Sequence, residues 1–227
     1  MADDSTPTLF AAVAEKFESA AVRDGSGVLL DVDMACFLEA AQAYREALST
    51  LGSAVNLVLG DFNTNYDIVR KFYEESPTER ATARAFYEAE AANSDHTRGD
   101  GKKCSLKDPS GACKMQWLLR GLNFFGTMLK LMFEGDASCA NHAYEQTLKM
   151  YHGWMASSVI KTSFLAMPSK STVLKMDALC PTLKDNKAEL ASAIERDAKR
   201  AMALLLPVVH RMIEMQKEMQ LWEDKKV

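Results

Sequence analysis

Apolar residues recur at intervals of three and four along almost the whole chain, and no stretch alternates with a period of two. The clearest segment runs from Cys113 to Phe133. Its polar residues fall in a single stripe, and the remaining positions are apolar, small or Gly. The stripe consists of Gln116, Arg120, Asn123, Thr127 and Lys130. This pattern predicts a central helix that is covered on all sides but one.

The same spacing predicts further helices on both sides of this segment. Four precede it, over 7–23, 33–51, 53–75 and 76–92. The last of these is expected to begin with Ser76 as N-cap and Pro77 in the first turn. After the central helix we expect a long helix over 138–166, a short one over 171–179 and a terminal one from Asp185, kinked at Pro207. The pattern therefore predicts an all-α protein of about eight helices.

One segment, 93–111, has almost no apolar residues and three glycines, so we expect a mobile surface loop and a probable insertion at 93–111. No repeat and no Pro/Ser-rich linker divides the rest. Residues 1–227 are therefore expected to form a single domain.

Composition narrows the classes of function. The chain has 48% hydrophobic residues, enough for a sizeable core, and a net charge of −4 gives no general attraction to nucleic acid. Five widely separated cysteines without paired Cys/His spacing argue for reduced thiols and against a metal site. The N-terminus has neither the basic region nor the apolar run of a signal peptide. We expect a cytoplasmic monomer that has no cofactor and does not bind nucleic acid.

Several polar or amphipathic residues stand out against this apolar pattern. Asp61 and Asn65 lie one helical turn apart and can together bind a hydroxylated group, although such pairs are common on solvated faces. Trp117 borders the polar stripe and can serve as a flat platform or simply pack. His152 lies on an otherwise apolar helix face, where it needs a hydrogen bond. Trp154 is suited to a membrane interface or to the core.

The chain lacks the common hydrolase and nucleotide-binding motifs, including GxSxG, HExxH and a Walker loop. Cys113 or Ser157 near His152 could form a nucleophile and base, but nothing fixes a third, orienting group. We therefore expect no catalytic residue, and the protein is not expected to be an enzyme.

Three separated motifs resemble the glycolipid transfer protein family. They are LGSAVNLVLGDFNTN at 51–65, WLLRGLNFF at 117–125 and AYEQTLKMYHGWMASSVIKTSFLAMPSKSTVL at 143–174. The resemblance extends from FLEA at Phe37 to the terminal helix. It implies a two-layer helical sandwich that encloses a hydrophobic tunnel for lipid chains, with a surface site for the headgroup, in a carrier that moves glycosphingolipids between membranes.

The resemblance also implies roles for particular residues. Asp61 and Asn65 would hold the first sugar, and Trp117 would stack beneath it. His152 would bind the amide carbonyl of the ceramide while Asp61 accepts the amide N–H. Trp154 would take part in transient docking to the membrane.

Two features of the headgroup site bear on which lipid is carried. Glycolipid-type sites in the family have a Lys one turn beyond the Asn, whereas this chain has Ile68. The ceramide-1-phosphate branch has a Lys in place of Asn65 and two Arg in place of Trp117 and Cys113. Arg120 or Lys114 could reach a phosphate only by swinging in. The sequence therefore favours a monohexosylceramide, with a ceramide-1-phosphate carrier and a sphingolipid sensor or scaffold as alternatives.

Overall fold

The computed structural model describes residues 7–226, except for the side chains of residues 53, 54, 56–58, 155 and 156. Nine α-helices make up most of these residues, so the all-α prediction is confirmed. They are α1 (Leu9–Ala20), α2 (Met34–Ser49), α3 (Ser53–Glu75), α4 (Ala83–Ala91), α5 (Gly111–Glu134), α6 (Cys139–Thr147), α7 (Trp154–Ser163), α8 (Lys170–Val173) and α9 (Lys187–Glu218). Five short 3₁₀ turns lie at 101–103, 149–151, 164–166, 177–179 and 181–183.

The helices pack in two groups. Helix α1 lies against α2 and α9, and α5 lies against α3 and α6. Contacts between α5 and α9 and between α2 and α3 join the groups. Helix α5 is apolar over most of its surface, so it can be covered by three neighbours, and it becomes the centre of the core.

A short antiparallel hairpin is present where the sequence predicted no strand. Strands β1 (Ala21–Arg23) and β2 (Leu29–Val32) pair on either side of a turn. The Asp24 carboxylate accepts hydrogen bonds from the backbone N–H of Ser26 and Val28, and Gly27 has a φ of 88°. These local bonds favour a turn over continuation of the helix. Both strands are too short to show an alternating pattern.

The predicted start of the fourth helix at Ser76 is also wrong. Helix α4 begins after Thr82, whose hydroxyl accepts from the backbone N–H of Ala85. The Arg80 guanidinium bonds to the Phe72 carbonyl and to Glu75, which folds the intervening residues into a turn. Just before α4, Thr82 forms an isolated antiparallel bridge with Asp33, and the Met34 N–H donates to the Ala81 carbonyl. These tertiary contacts outweigh the capping signal at Ser76.

The single helix predicted over 138–166 is interrupted. Helix α6 ends at Thr147, a 3₁₀ turn follows, and α7 begins only at Trp154 with Gly153 as its N-cap. The predicted helix over 171–179 is likewise reduced to the single turn of α8 and a 3₁₀ turn at 177–179. The predicted terminal helix is present, begins at Lys187 rather than Asp185, and continues through Pro207, where the kink stays a prediction.

The 93–111 segment is anchored more firmly than its polar composition suggests. His96, Cys104 and Leu106 are buried, and His96 lies 3.2 Å from the Glu90 carboxylate on α4. Thr97 and Ser105 exchange backbone hydrogen bonds. The segment is therefore not confined to the surface, as expected from its composition, whereas its mobility and its origin as an insertion stay predictions.

Candidate functional site

A cavity of about 400 Å³ lies where α3, α5 and the break before α7 meet. Asp61 and Asn65 line it from α3, Trp117 from α5 and His152 from the break. The structure thus brings together the four residues that the sequence assigned to one site. An apolar end, formed by Phe62, Phe124, Phe125, Leu148 and Ile160, adjoins these polar groups.

Helix α3 presents its two polar residues because its other face is committed to the core. Phe62, Tyr66 and Val69 are buried, whereas Asp61 is exposed and Asn65 half-buried. Residues four apart share a helix face, so both side chains are directed to the same cavity. The site therefore offers a carboxylate acceptor beside an amide donor and acceptor.

The sequence predicted that His152 lies on a helix face, and this prediction is wrong. His152 has extended backbone geometry, with φ −107° and ψ 134°, between a 3₁₀ turn and α7. This break swings the imidazole beside Trp117, with the two rings parallel within 8° and their centroids 6.3 Å apart. The Tyr144 hydroxyl oxygen lies 3.2 Å from Nδ1 of His152, and the hydroxyl donates to Ser157 Oγ at 2.8 Å. Tyr144 is fully buried, so it holds the imidazole from the core side.

Burial, together with the positive charge of Arg120, lowers the pKa of His152, while Asp61 opposes the shift. The imidazole is therefore neutral near pH 7. A neutral imidazole has one nitrogen that donates and one that accepts a hydrogen bond. With Nδ1 facing Tyr144, Nε2 is the nitrogen left for a ligand.

The expected open polar stripe on α5 is wrong at Gln116 and Arg120, which are buried, whereas Asn123 and Thr127 are half-buried and Lys130 is exposed. Arg120 shows how the N-terminal part of the stripe is covered. Its guanidinium is buried, at 3.5 Å from the ring centroid of Tyr151, 4.5 Å from that of Trp117 and 5.0 Å from that of Trp222. Nη2 donates to the Glu223 carbonyl, whereas Nε and Nη1 have no hydrogen-bond partner in the part of the chain described. Burial lowers the pKa of Arg120 to about 10, which still leaves it charged at neutral pH.

The C-terminal segment that covers the stripe was not predicted. Gln116, also buried, donates from Nε2 to the Glu223 carbonyl and accepts from the Glu223 N–H. Trp222 is buried and donates to the Asp224 carboxylate. The isolated Trp beyond the end of the terminal helix was the only sequence signal that this segment folds back onto the core.

Of the further residues that the sequence associated with the headgroup site, some line the cavity and others do not. Arg120 lines the cavity, and so does Lys114, one turn before Trp117 on α5. Cys113 and Ile68 are not among the described lining residues. Burial, reinforced by Asp108, raises the pKa of the Cys113 thiol to about 11, so it is not a ready nucleophile. Ser157 bonds to Tyr144 rather than to His152.

Trp154 is the first residue of α7 and is 79% exposed. Met150, Val159 and Leu165 are also exposed large apolar residues close to it in sequence. The alternative that Trp154 packs in the hydrophobic core is therefore wrong. Among the described helices, none is long and apolar enough to cross a membrane. The described residues also contain no group of three or more His, Cys, Asp or Glu side chains placed to hold a metal ion.

Comparison with known proteins identifies the family of the chain. The family model described as Glycolipid transfer protein (GLTP) matches residues 32–178. Glycolipid transfer protein from Xenopus tropicalis is 26% identical over 171 residues, which cover 69% of this chain and 76% of that protein. The glycolipid transfer protein of Danio rerio is 27% identical over 161 residues, covering 66% of this chain and 73% of its own.

Solved structures share the fold. A structure described as showing how FAPP2 selects simple glycosphingolipids using the GLTP fold has a TM-score of 0.78 at 21% identity, covering 97% of this chain and all of that one. Mouse ceramide-1-phosphate transfer protein has a TM-score of 0.73 at 17% identity, covering 93% and 97%. The chain belongs to the glycolipid transfer protein family, and its two-layer, all-helical fold is that of the family.

Proposed function

We propose that the protein is a cytosolic carrier that extracts a neutral glycosphingolipid from one membrane and delivers it to another, without catalysis. The observation that carries this proposal is the meeting of Asp61, Asn65, Trp117 and His152 around one cavity with an apolar end. The protein belongs to the glycolipid transfer protein family, and its relatives include glycolipid transfer proteins. Both findings support lipid transfer as its function.

The proposed headgroup contacts follow from the chemistry of these side chains. Asp61 and Asn65 bind hydroxyls of the first sugar, whose apolar face stacks on the half-buried indole of Trp117. Asp61 also accepts the amide N–H of the ceramide, and Nε2 of His152 donates to the amide carbonyl. A lipid with esters in place of the amide leaves Asp61 without this donor and binds more weakly.

The lipid chains begin at the apolar end of the cavity. The cavity volume lies within the range of about 300–1,000 Å³ that is typical of ligand sites. We propose that the chains extend from there between the two helical layers as a tunnel. Burial of their surface contributes affinity of about 25 cal/mol per Å² but little selectivity, which therefore resides in the headgroup contacts.

A ceramide-1-phosphate carrier is the second candidate, because Lys114 and Arg120 both line the cavity. Neither cation would meet a phosphate unopposed. The Asp108 carboxylate, 2.6 Å from Lys114 Nζ, neutralises that ammonium and would itself repel a phosphate, and the Arg120 guanidinium is buried among aromatic rings with Nη2 bonded to the Glu223 carbonyl. Asp61 also repels a phosphate, so the charges favour a neutral sugar.

We further propose that Trp154 and its exposed apolar neighbours dock transiently on the membrane surface, and that the protein acts as a monomer. A sensor or scaffold that binds the same lipid but acts through a protein partner is distinguished by kinetics. In an assay with donor and acceptor vesicles, a carrier moves labelled galactosylceramide much faster than the lipid moves spontaneously. Tight binding with slow exchange contradicts the carrier and supports the sensor.

A further inference from the structure

The proposed contacts leave two charged residues of the cavity lining unused, Lys114 and Arg120, and of these Arg120 is almost fully buried, so Lys114 is the more accessible to a ligand. It projects from α5 one turn before Trp117, on the same face of the helix, where residues three apart have Cβ atoms about 5–6 Å from each other. Its side chain is only 16% exposed. The ammonium therefore lies at the edge of the surface on which the first sugar is proposed to stack.

The partner of Lys114 comes from the 93–111 loop. Asp108 Oδ1 lies 2.6 Å from Nζ, and the Asp108 side chain is 61% exposed. A partly exposed ion pair contributes little to stability, about 0–1 kcal/mol, so it can share its hydrogen bonds with a ligand at small cost. Asp108 does not itself line the cavity, but the loop brings its carboxylate into contact with the lining residue Lys114, so an acceptor lies beside a donor from α5.

The pair has the composition of a sugar subsite rather than an anion site. The ammonium has three donor hydrogens and the carboxylate several acceptor positions, so a hydroxyl can accept from one and donate to the other. The pair is neutral as a whole, and a free anion would meet Asp108 as well as Asp61. A second hexose joined to a first hexose on Trp117 would lie within reach of Lys114, which is one helical turn away on the same face of α5.

We propose that Lys114 and Asp108 bind the second hexose of a dihexosylceramide, so that the protein recognises two sugars of the headgroup rather than one. This inference rests on the proposed function, since it requires the first sugar on Trp117. It gives the 93–111 loop a part in recognition, through the single carboxylate that it contributes.

The test compares vesicle transfer of galactosylceramide, lactosylceramide and sulfated galactosylceramide by the wild-type protein and by Lys114→Met and Asp108→Ala. Lys107→Met is the matched control, because it removes an exposed charge from the same loop outside the cavity. Circular dichroism and thermal unfolding verify that each variant is folded.

We expect lactosylceramide transfer to fall about tenfold in both cavity variants, as for the loss of a hydrogen bond to a charged group. Galactosylceramide transfer should stay within about twofold, and Lys107→Met should behave as wild type. The inference is overturned by unchanged lactosylceramide transfer, by equal losses for both lipids, by a loss confined to the sulfated lipid, or by a wild-type protein that moves galactosylceramide but not lactosylceramide. Failure of the wild type to move galactosylceramide at all refutes the proposed function instead.

Discussion

The imidazole of His152 lies parallel to the indole of Trp117, with an interplanar angle of 8° and 6.3 Å between ring centroids. The two residues are 35 positions apart and come from different elements, and they meet because the chain leaves helical geometry at His152. The group that we propose to bind the ceramide amide is thereby fixed beside the ring that we propose as the platform for the sugar. The relative placement of these two rings is the basis for the predictions on lipid selectivity.

Replacing the platform tests its role. We expect Trp117→Ala to lower galactosylceramide transfer by about tenfold, because stacking of about 0.5–1.5 kcal/mol is lost and His152 loses its neighbour. Vesicle transfer rates measure the effect. The indole is half-buried, so the far-ultraviolet circular dichroism should be nearly unchanged. Wild-type transfer by a folded variant would show that no sugar stacks on this ring.

The tautomer of His152 depends on Tyr144. When the Tyr144 hydroxyl turns its hydrogen from Ser157 to Nδ1, the imidazole proton resides on Nε2, the form that donates to an amide carbonyl. Nitrogen-15 NMR of His152 should therefore show the Nε2–H tautomer in the lipid complex.

We expect Tyr144→Phe to reduce transfer severalfold, with a loss of stability of about 1 kcal/mol. Ser157→Ala is the matched control, since it removes the competing acceptor and should leave transfer near the wild-type rate. An Nδ1–H tautomer in the complex would contradict the assigned contact.

Exposed Trp154 should act at the membrane and not in ligand binding. We predict that Trp154→Ala weakens partitioning onto vesicles while binding of a short-chain, water-soluble galactosylceramide is retained, because the side chain is 79% exposed and does not line the cavity. Sedimentation with vesicles measures the first effect and titration calorimetry the second. Unchanged partitioning would remove Trp154 from the docking surface.

Two histidines should make stability depend on pH. Burial lowers the pKa of both His152 and His210 from the ordinary value of 6.5. As pH falls below 6.5 the unfolded chain takes up protons before the folded one, so the free energy of unfolding decreases until the folded pKa values are passed. Urea titrations at a series of pH values should show this decrease, with a smaller slope in His210→Gln. A slope unaffected by that substitution would contradict the assignment.

The sequence was sufficient for the features that depend on helical periodicity. Helix α3 begins and ends as predicted, and the shared face of Asp61 and Asn65 follows from their spacing. It was insufficient where a tertiary contact decides. The bridge between Asp33 and Thr82 lies immediately before the observed start of α4, and the return of Glu223 to α5 buries Gln116. No periodicity in the chain encodes those contacts.

For the site, the sequence identified the residues but not their arrangement. The role of His152 was expected from the resemblance, whereas its extended backbone and its contact with Tyr144 required the structure. Lys114 was considered only as a cation that could swing toward a phosphate. Its pairing with Asp108 depends on the path of the 93–111 loop, which has no regular pattern.

The most direct test of the central claim is a competition assay in which transfer of labelled galactosylceramide is challenged by unlabelled lipids. The account predicts that unlabelled galactosylceramide competes efficiently and that ceramide-1-phosphate hardly competes, because both Asp61 and the Asp108 carboxylate beside Lys114 repel the phosphate, while Arg120 is buried among aromatic rings. Efficient competition by ceramide-1-phosphate that weakens with added salt would contradict it and would show that the site is built for an anionic headgroup.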